Sequence, residues 1–184
     1  MASSGPNSPG TEADDATIGT KTWLDISRVV SSDDSYTSYS GFPDATAFSH
    51  YLKCTNFGFS IPSGTIDGIL VEIERRGTNT STNKCYDNSI KLIKGGAYVG
   101  SDKAATSTAY PTTDTYASYG SSSDLWGTTW TFSEINDSNF GVGLSVKTTC
   151  DGKNGVGPLV DHIRITVYYT ESSGTPRSQA MTLG

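Results

Sequence analysis

Positive charge is scarce in this chain and clusters nowhere. Thirteen Lys and Arg stand against 19 Asp and Glu, a formal net charge of -6. No basic run could neutralise several phosphates at once, which excludes nucleic-acid binding through the backbone. The same acidity argues against docking on an anionic membrane surface. Apolar runs are short, and none approaches the length of a bilayer-spanning helix. Residues 1–20 hold neither Lys or Arg nor an apolar run, so they do not read as a secretion signal, and export by the usual route is not expected. Cysteine is confined to Cys54, Cys85 and Cys150, with no CxxC pair and a single histidine, His50, within ten residues of any of them. That spacing argues against zinc, and the odd count predicts free, buried thiols in a protein assembled in a reducing cytoplasm. A convincing helical period is missing everywhere except for one turn over SEIND, 133–137, where Ser133 is the expected cap.

What is present points to strands. The chain of 184 residues suits one domain with flexible ends. Hydrophobic residues are 34% and charged residues 17%, while Ser and Thr exceed a quarter of the chain. That is too polar for a helical bundle, yet 10% aromatic content is too rich for a disordered chain. Ile69, Val71 and Ile73 alternate with Leu70, Glu72 and Glu74, a period of two. The same alternation runs through Ile90 and Leu92, through Phe140, Val142, Leu144 and Val146, and through Ile163, Ile165, Val167 and Tyr169. Phe57, Phe59 and Ile61 share a face ahead of Pro62-Ser63-Gly64, and Trp23, Leu24 and Ile26 open a first expected strand reaching Val30. These segments predict an all-β fold, a two-sheet antiparallel β-sandwich (jelly-roll-like) with extended N- and C-terminal arms.

Some of the strand text occurs twice. NFGF at 56–59 returns as NFGV at 139–142, and IDGILVEI at 66–73 returns as VDHIRITV at 160–167. Duplicated functional sites would explain this, and so would convergence on one half-buried pattern. Pseudo-symmetric strands of a single sandwich are the favoured reading.

Candidate chemistry is thin. His50 and His162 are the only histidines, and His162 falls on the outward face of the last strand. There is no G-x-S-x-G elbow and no phosphate-cradling loop ending in Lys-Ser or Lys-Thr. Asp14-Asp15 and Asp33-Asp34 sit in polar, turn-like text. DGKNG at 151–155 could offer Asp151 and Asn154 oxygens to a cation but reads better as a hairpin turn. Asp67 and Asp161 could in principle form a glycosidase pair; their place at strand entrances favours hydrogen bonds to loop amides. No catalytic residue, cofactor or metal ligand is assigned. Tyr110, Tyr116, Tyr119, Trp126 and Trp130 crowd into residues 109–130. Tyr110, Tyr116, Tyr119 and Trp126 form a candidate surface patch for sugar stacking or subunit contact. For the tryptophans, plugging the end of the sandwich is the preferred reading. Residues 1–20 form a candidate arm, 21–170 the sandwich domain and 171–184 a polar tail. Within and next to the arm, Pro6, Pro9, Ile18 and Trp23 are candidate partner-binding residues. Such ends either stay disordered or order themselves against a neighbour.

NFGFSIPSGTIDGILVEIER, NSIKLIKGG, SYGSSSDLWGTTWTFSEINDSNFGVGLSV and VDHIRITVYY together resemble a family of small β-sandwich proteins from the structural gene regions of tailed phages and prophages. The resemblance spans about residues 20–170. Its most distinctive pieces are IP-x-G-x-I-x-G-I, DLWG-x-TW with the following I-N-x-S-N-F-G, and VD-x-I-x-I-T-V-Y-Y. It implies a virion structural protein assembled in the host cytoplasm, with no catalytic residues. The leading expectation is a capsid decoration or cement protein that binds the major capsid protein and itself, as a homotrimer. On that reading, deletion of residues 2–20 abolishes shell binding and leaves the domain folded. The alternative is a receptor- or carbohydrate-binding module of a tail or fibre, with a glycan as partner.

Overall fold

The computed structural model describes residues 1–39, 46–150 and 157–172, so the proposed turn at 151–155 and nearly all of the C-terminal tail lie outside the described residues. Two antiparallel sheets face each other across one apolar core. In the first sheet, β1 (Ala2–Asn7) and β3 (Thr37–Ser38) both pair with β11 (Pro158–Thr170). The order continues through β6 (Thr65–Gly77) to β9 (Thr115–Gly120). The second sheet runs β2 (Thr11–Asp15), β5 (Tyr51–Thr55), β10 (Gly141–Thr149), β7 (Lys84–Lys94) and β8 (Ala97–Val99), with β4 (Thr46–Phe48) also on β10. The expected sandwich is the observed one.

The longer repeated text, IDGILVEI and VDHIRITV, is zipped to itself, whereas NFGF and NFGV do not pair with each other. Ile69 pairs with Val167, Val71 with Ile165 and Ile73 with Ile163, so the two copies lie side by side in one sheet. All six side chains are fully buried, and burial stabilises by about 1.5–3 kcal/mol for each aliphatic side chain of this size. The aspartate of each copy has a matching role. Asp161 is the extra residue between the pairs Val160–Arg75 and His162–Glu74, and Asp67 is the extra residue between Gly68–Tyr168 and Ile66–Tyr169. Each therefore sits at a β-bulge, one at either end of the ladder, where the strand bends and a polar side chain can leave the pleat. The repetition is architectural.

The facing core comes from Val142, Leu144 and Val146 on β10 and from Ile90 and Leu92 on β7, all fully buried. Gly95 and Gly96, with φ of +55° and +87°, turn β7 into β8 in the two-residue loop that demands positive φ. Phe57, Phe59 and Ile61 are buried on one face as expected, but the segment is held by Asn136 rather than by a strand ladder. The Asn136 amide accepts from Ile61 N and donates to Ile61 O, both at 2.9 Å. The helical turn is α1 (Phe132–Ile135), and its cap is Thr131, two residues before the expected Ser133. Thr131 Oγ1 accepts from Glu134 N while Glu134 accepts from Thr131 N, a reciprocal box that Ser133 cannot form with the residues present.

Two expectations are corrected here. Residues 1–20 are not an arm separate from the sandwich: β1 pairs with β11 and β2 with β5, one edge strand for each sheet. A polar segment can do this because ladder hydrogen bonds on an existing edge require no apolar side chains. Residues 23–30 are not a strand. Ile26–Val29 form a 3-10 turn, and the segment crosses the open flank from β4, where Thr20 N and Lys21 N reach Phe48 O, to β3, where Leu24 pairs with Ser38.

Candidate functional site

The four candidate arm residues do not converge on one surface. Pro6 is exposed, Pro9 buried, Ile18 half-buried and Trp23 buried. Trp23 plugs the flank: its indole N–H donates to His50 O at 2.9 Å, its backbone N–H to Asp14 Oδ1 at 2.9 Å, and its ring meets Tyr39 edge-on at 5.4 Å. Asp14 also holds His50 Nδ1 at 2.7 Å, so one carboxylate of β2 ties the crossing segment 20–30, the strap, to the residue that leads into β5.

The candidate surface aromatics are mostly interior, which corrects the patch. Tyr110, Tyr119 and Trp126 are buried, and only Tyr116 keeps partial exposure. The reason is Asp87, an inward carboxylate on β7. It accepts from Arg75 Nη1 at 2.9 Å, Tyr110 OH at 3.0 Å, Tyr119 OH at 2.9 Å and Ala105 N at 2.9 Å. Arg75 lies over the Tyr110 ring at 3.7 Å. Burial pushes both phenols far up, and the Asp87 charge adds to the shift. Trp126, fully enclosed, donates from Nε1 to Ile69 O at 3.0 Å; its neighbour Trp130 is also buried and meets Phe140 edge-on. The tryptophans are core, as the preferred reading had it.

On the outer face of the first sheet, His162 is the centre of a half-buried polar cluster. Its Nε2 lies 2.8 Å from Ser8 Oγ and its Nδ1 2.8 Å from Tyr116 OH. The Arg164 guanidinium covers Tyr116 at 4.1 Å and grips Glu72 with two bonds of 2.9 and 3.1 Å. Burial, followed by the Arg164 charge, pulls the His162 pKa below its ordinary 6.5, so the ring is neutral at pH 7. Serine, imidazole and phenol in series have the order of a nucleophile and its base. However, the third group is a phenol, and the neighbouring carboxylate of Asp161 is turned to the amides of Asp33 and Asp34 at 3.4 and 3.2 Å. What the series does is fasten the β1–β2 crossover to β11 and β9. Asp67 instead accepts from Thr170 Oγ1 at 2.7 Å, and lies at the opposite end of the ladder from Asp161. The two do not form a catalytic pair.

The second sheet covers its own outer face. Tyr51 and Tyr98 stack at 4.1 Å across Gly143, where any Cβ would collide with the Tyr98 ring. Tyr51 OH is 2.7 Å from Ser89 Oγ, and Tyr98 donates to Asp15 at 3.0 Å. All three cysteines are free and buried. Among the described residues no group of His, Cys, Asp and Glu is placed to hold a metal, no pocket is enclosed, and no helix is long and apolar enough to cross a membrane.

Of the five large apolar side chains exposed among the described residues, Met1 and Phe132 lie elsewhere and three belong to the flank. Leu24 is 56% exposed, Phe48 38% and Val30 36%, all on the strap or the strand it touches. Sequence reasoning missed this surface because it placed Leu24 and Val30 in a strand. It also missed Arg75, although the inward phase of Ile69, Val71 and Ile73 continues directly to it. No protein-family model and no curated protein matches this chain.

Proposed function

We propose that this chain is a virion structural protein of the capsid-decoration type, which docks on the major capsid protein shell and associates with further copies of itself. The observation that carries the reading is the flank: Leu24, Val30 and Phe48 are three of the five large apolar side chains that the described residues expose, Met1 and Phe132 being the other two. Exposed apolar groups on one segment and the strand it crosses are where a contact surface would form. The resemblance over residues 20–170 supports the same role, and buried free thiols suit assembly in a reducing compartment. The docking element is then the strap and β4, in place of a flexible N-terminal arm. The glycan-binding alternative loses its stacking platform, since Tyr110, Tyr119 and Trp126 face inward.

The test is the copy number of this chain per major capsid protein in purified particles, by quantitative mass spectrometry. A ratio near one or a simple fraction of it is expected, and the double variant L24D/F48D should lower it while leaving the melting temperature unchanged. A handful of copies per particle would transfer the protein to the tail, and complete absence would end the virion reading.

A further inference from the structure

Among the described residues, five of the six outermost strands of this sandwich carry a recognised guard against edge-to-edge pairing. β1 holds Pro6 and a positive-φ glycine, and its register breaks between Ser4 and Asn7. β2 reads TEADD and turns Glu12 inward. β3, β4 and β8 are two or three residues long. Proline, bulges, inward charges and shortness are the devices by which natural sheets blunt an edge.

β9 has no proline, bulge or inward charge and is six residues long; its one positive-φ residue, Gly120, is the last of the strand. Its six residues, TYASYG, contain no charge and no proline, and they pair with β6 in unbroken register from Thr115–Arg75 to Gly120–Leu70. β6 is the only strand that pairs with it among the described residues, and the sheet ends there. Thr115 and Ser118 are exposed. An uncharged edge in unbroken register, with unpaired N–H and C=O groups, is a template for another strand.

We propose that β9 pairs antiparallel with β9 of a second copy of this chain, about a two-fold axis, joining two first sheets into one continuous sheet. Charge selects this occupant. Each copy carries a net charge of -6, so most approaches between copies bring like charges together, whereas TYASYG against itself brings none. One strand edge of six residues buries less than the ~1,000 Å² of a stable interface, so the contact is weak and driven by concentration, as in a crowded lattice. It is a two-fold contact, unlike the three-fold one implied by the family resemblance, and it stands whether or not the chain coats a virion.

The experiment is sedimentation velocity of the whole chain from micromolar to millimolar concentration, with amide hydrogen exchange of residues 115–120 along the same series. A reversible dimer is expected, with these amides slowing in step with it. Ser118→Lys should weaken dimerisation about tenfold or more by placing like charges across the axis. In the monomer, the new lysine faces Glu72 on β6, so the fold is kept. A monomer at every concentration overturns the proposal, as does a dimer that S118K leaves untouched. Amides equally protected at the highest dilution also overturn it, because the chain's own residues would then cover the edge. The exchange series on the unmodified chain decides the matter even if S118K fails to fold.

Discussion

Arg75 on β6 donates from Nη1 to Asp87 Oδ1 on β7 at 2.9 Å, and this buried bond joins the two sheets. The side chains are 5% and 0% exposed. Removing two charges from water costs several kcal/mol each, and only close geometry with further hydrogen bonds offsets that. Asp87 has them, with two phenols and one backbone amide besides the guanidinium. Because the donors come from β6, β9 and the loop between β8 and β9, the carboxylate fixes how the two sheets lie against each other.

Breaking this pair from one side should be far worse than removing it whole. Asp87→Ala leaves a buried guanidinium and two buried hydroxyls without an acceptor, a loss of about 3–5 kcal/mol. The double variant R75M/D87L should cost clearly less than the sum of the single changes. Urea midpoints of the four proteins measure this coupling. Strict additivity would mean that Arg75 and Asp87 do not stabilise each other.

Trp126 separates a core role from a stacking platform. As a fully buried ring bonded to Ile69 O, it should cost about 3–5 kcal/mol when replaced by alanine. Trp126→Phe keeps most of the volume but strands the Ile69 carbonyl, a loss of about 1–3 kcal/mol. Thermal unfolding of both variants is the check, and an unchanged melting temperature for W126A would put the ring outside the core.

The central strands were legible because both their faces follow a strict rule. Ile69-Val71-Ile73 and Ile163-Ile165-Val167 alternate without a break, and their pairing with each other explains why the texts match. The edge strands were illegible for a physical reason: SSGPN and TEADD have no apolar face of their own and take their conformation from β11 and β5. Tyr110 and Tyr119 were ambiguous because a tyrosine suits a surface or a core with an acceptor. The acceptor, Asp87, stands in polar text, YDNS, that gives no sign of burial. Its burial depends on Arg75 arriving from another sheet, which no local pattern announces.

Because residues 2–15 form an edge of each sheet, their removal should damage the domain itself. Truncation to residue 16 strips β11 and β5 of edge partners and exposes unpaired ladder groups. It also removes Asp14, the acceptor for Trp23 N and partner of His50. The expected outcome is a chain that melts lower and aggregates, seen by light scattering during a thermal ramp. A truncated protein that stays monodisperse with an unchanged melting temperature would restore the arm as a separate element.

Glu12 makes stability depend on pH with a definite sign. It lies opposite Cys54 on β5, whose side chain is fully buried, so the carboxyl points into the sandwich, and its Oε1 is buried without a hydrogen bond. Burial raises its pKa above the ordinary 4.5, against a smaller opposing backbone hydrogen bond. The fold therefore prefers the neutral acid. Its contribution is fully present below the unfolded value and is lost as pH rises through the folded one, because the folded state holds the proton longer. Glu12→Gln keeps the shape and abolishes the titration. The two proteins should melt together near pH 4, and the glutamine variant should become more stable by on the order of 1 kcal/mol at pH 7. Other carboxyls shape the absolute curve of both proteins alike, so the difference between them isolates this group. A gap that stays constant from pH 4 to neutrality would mean that the Glu12 charge is not what the fold resists. Glu12→Val completes the test of the guard at this edge: it removes the charge but leaves an apolar strand edge, and should turn a more stable monomer into one that self-associates through β2.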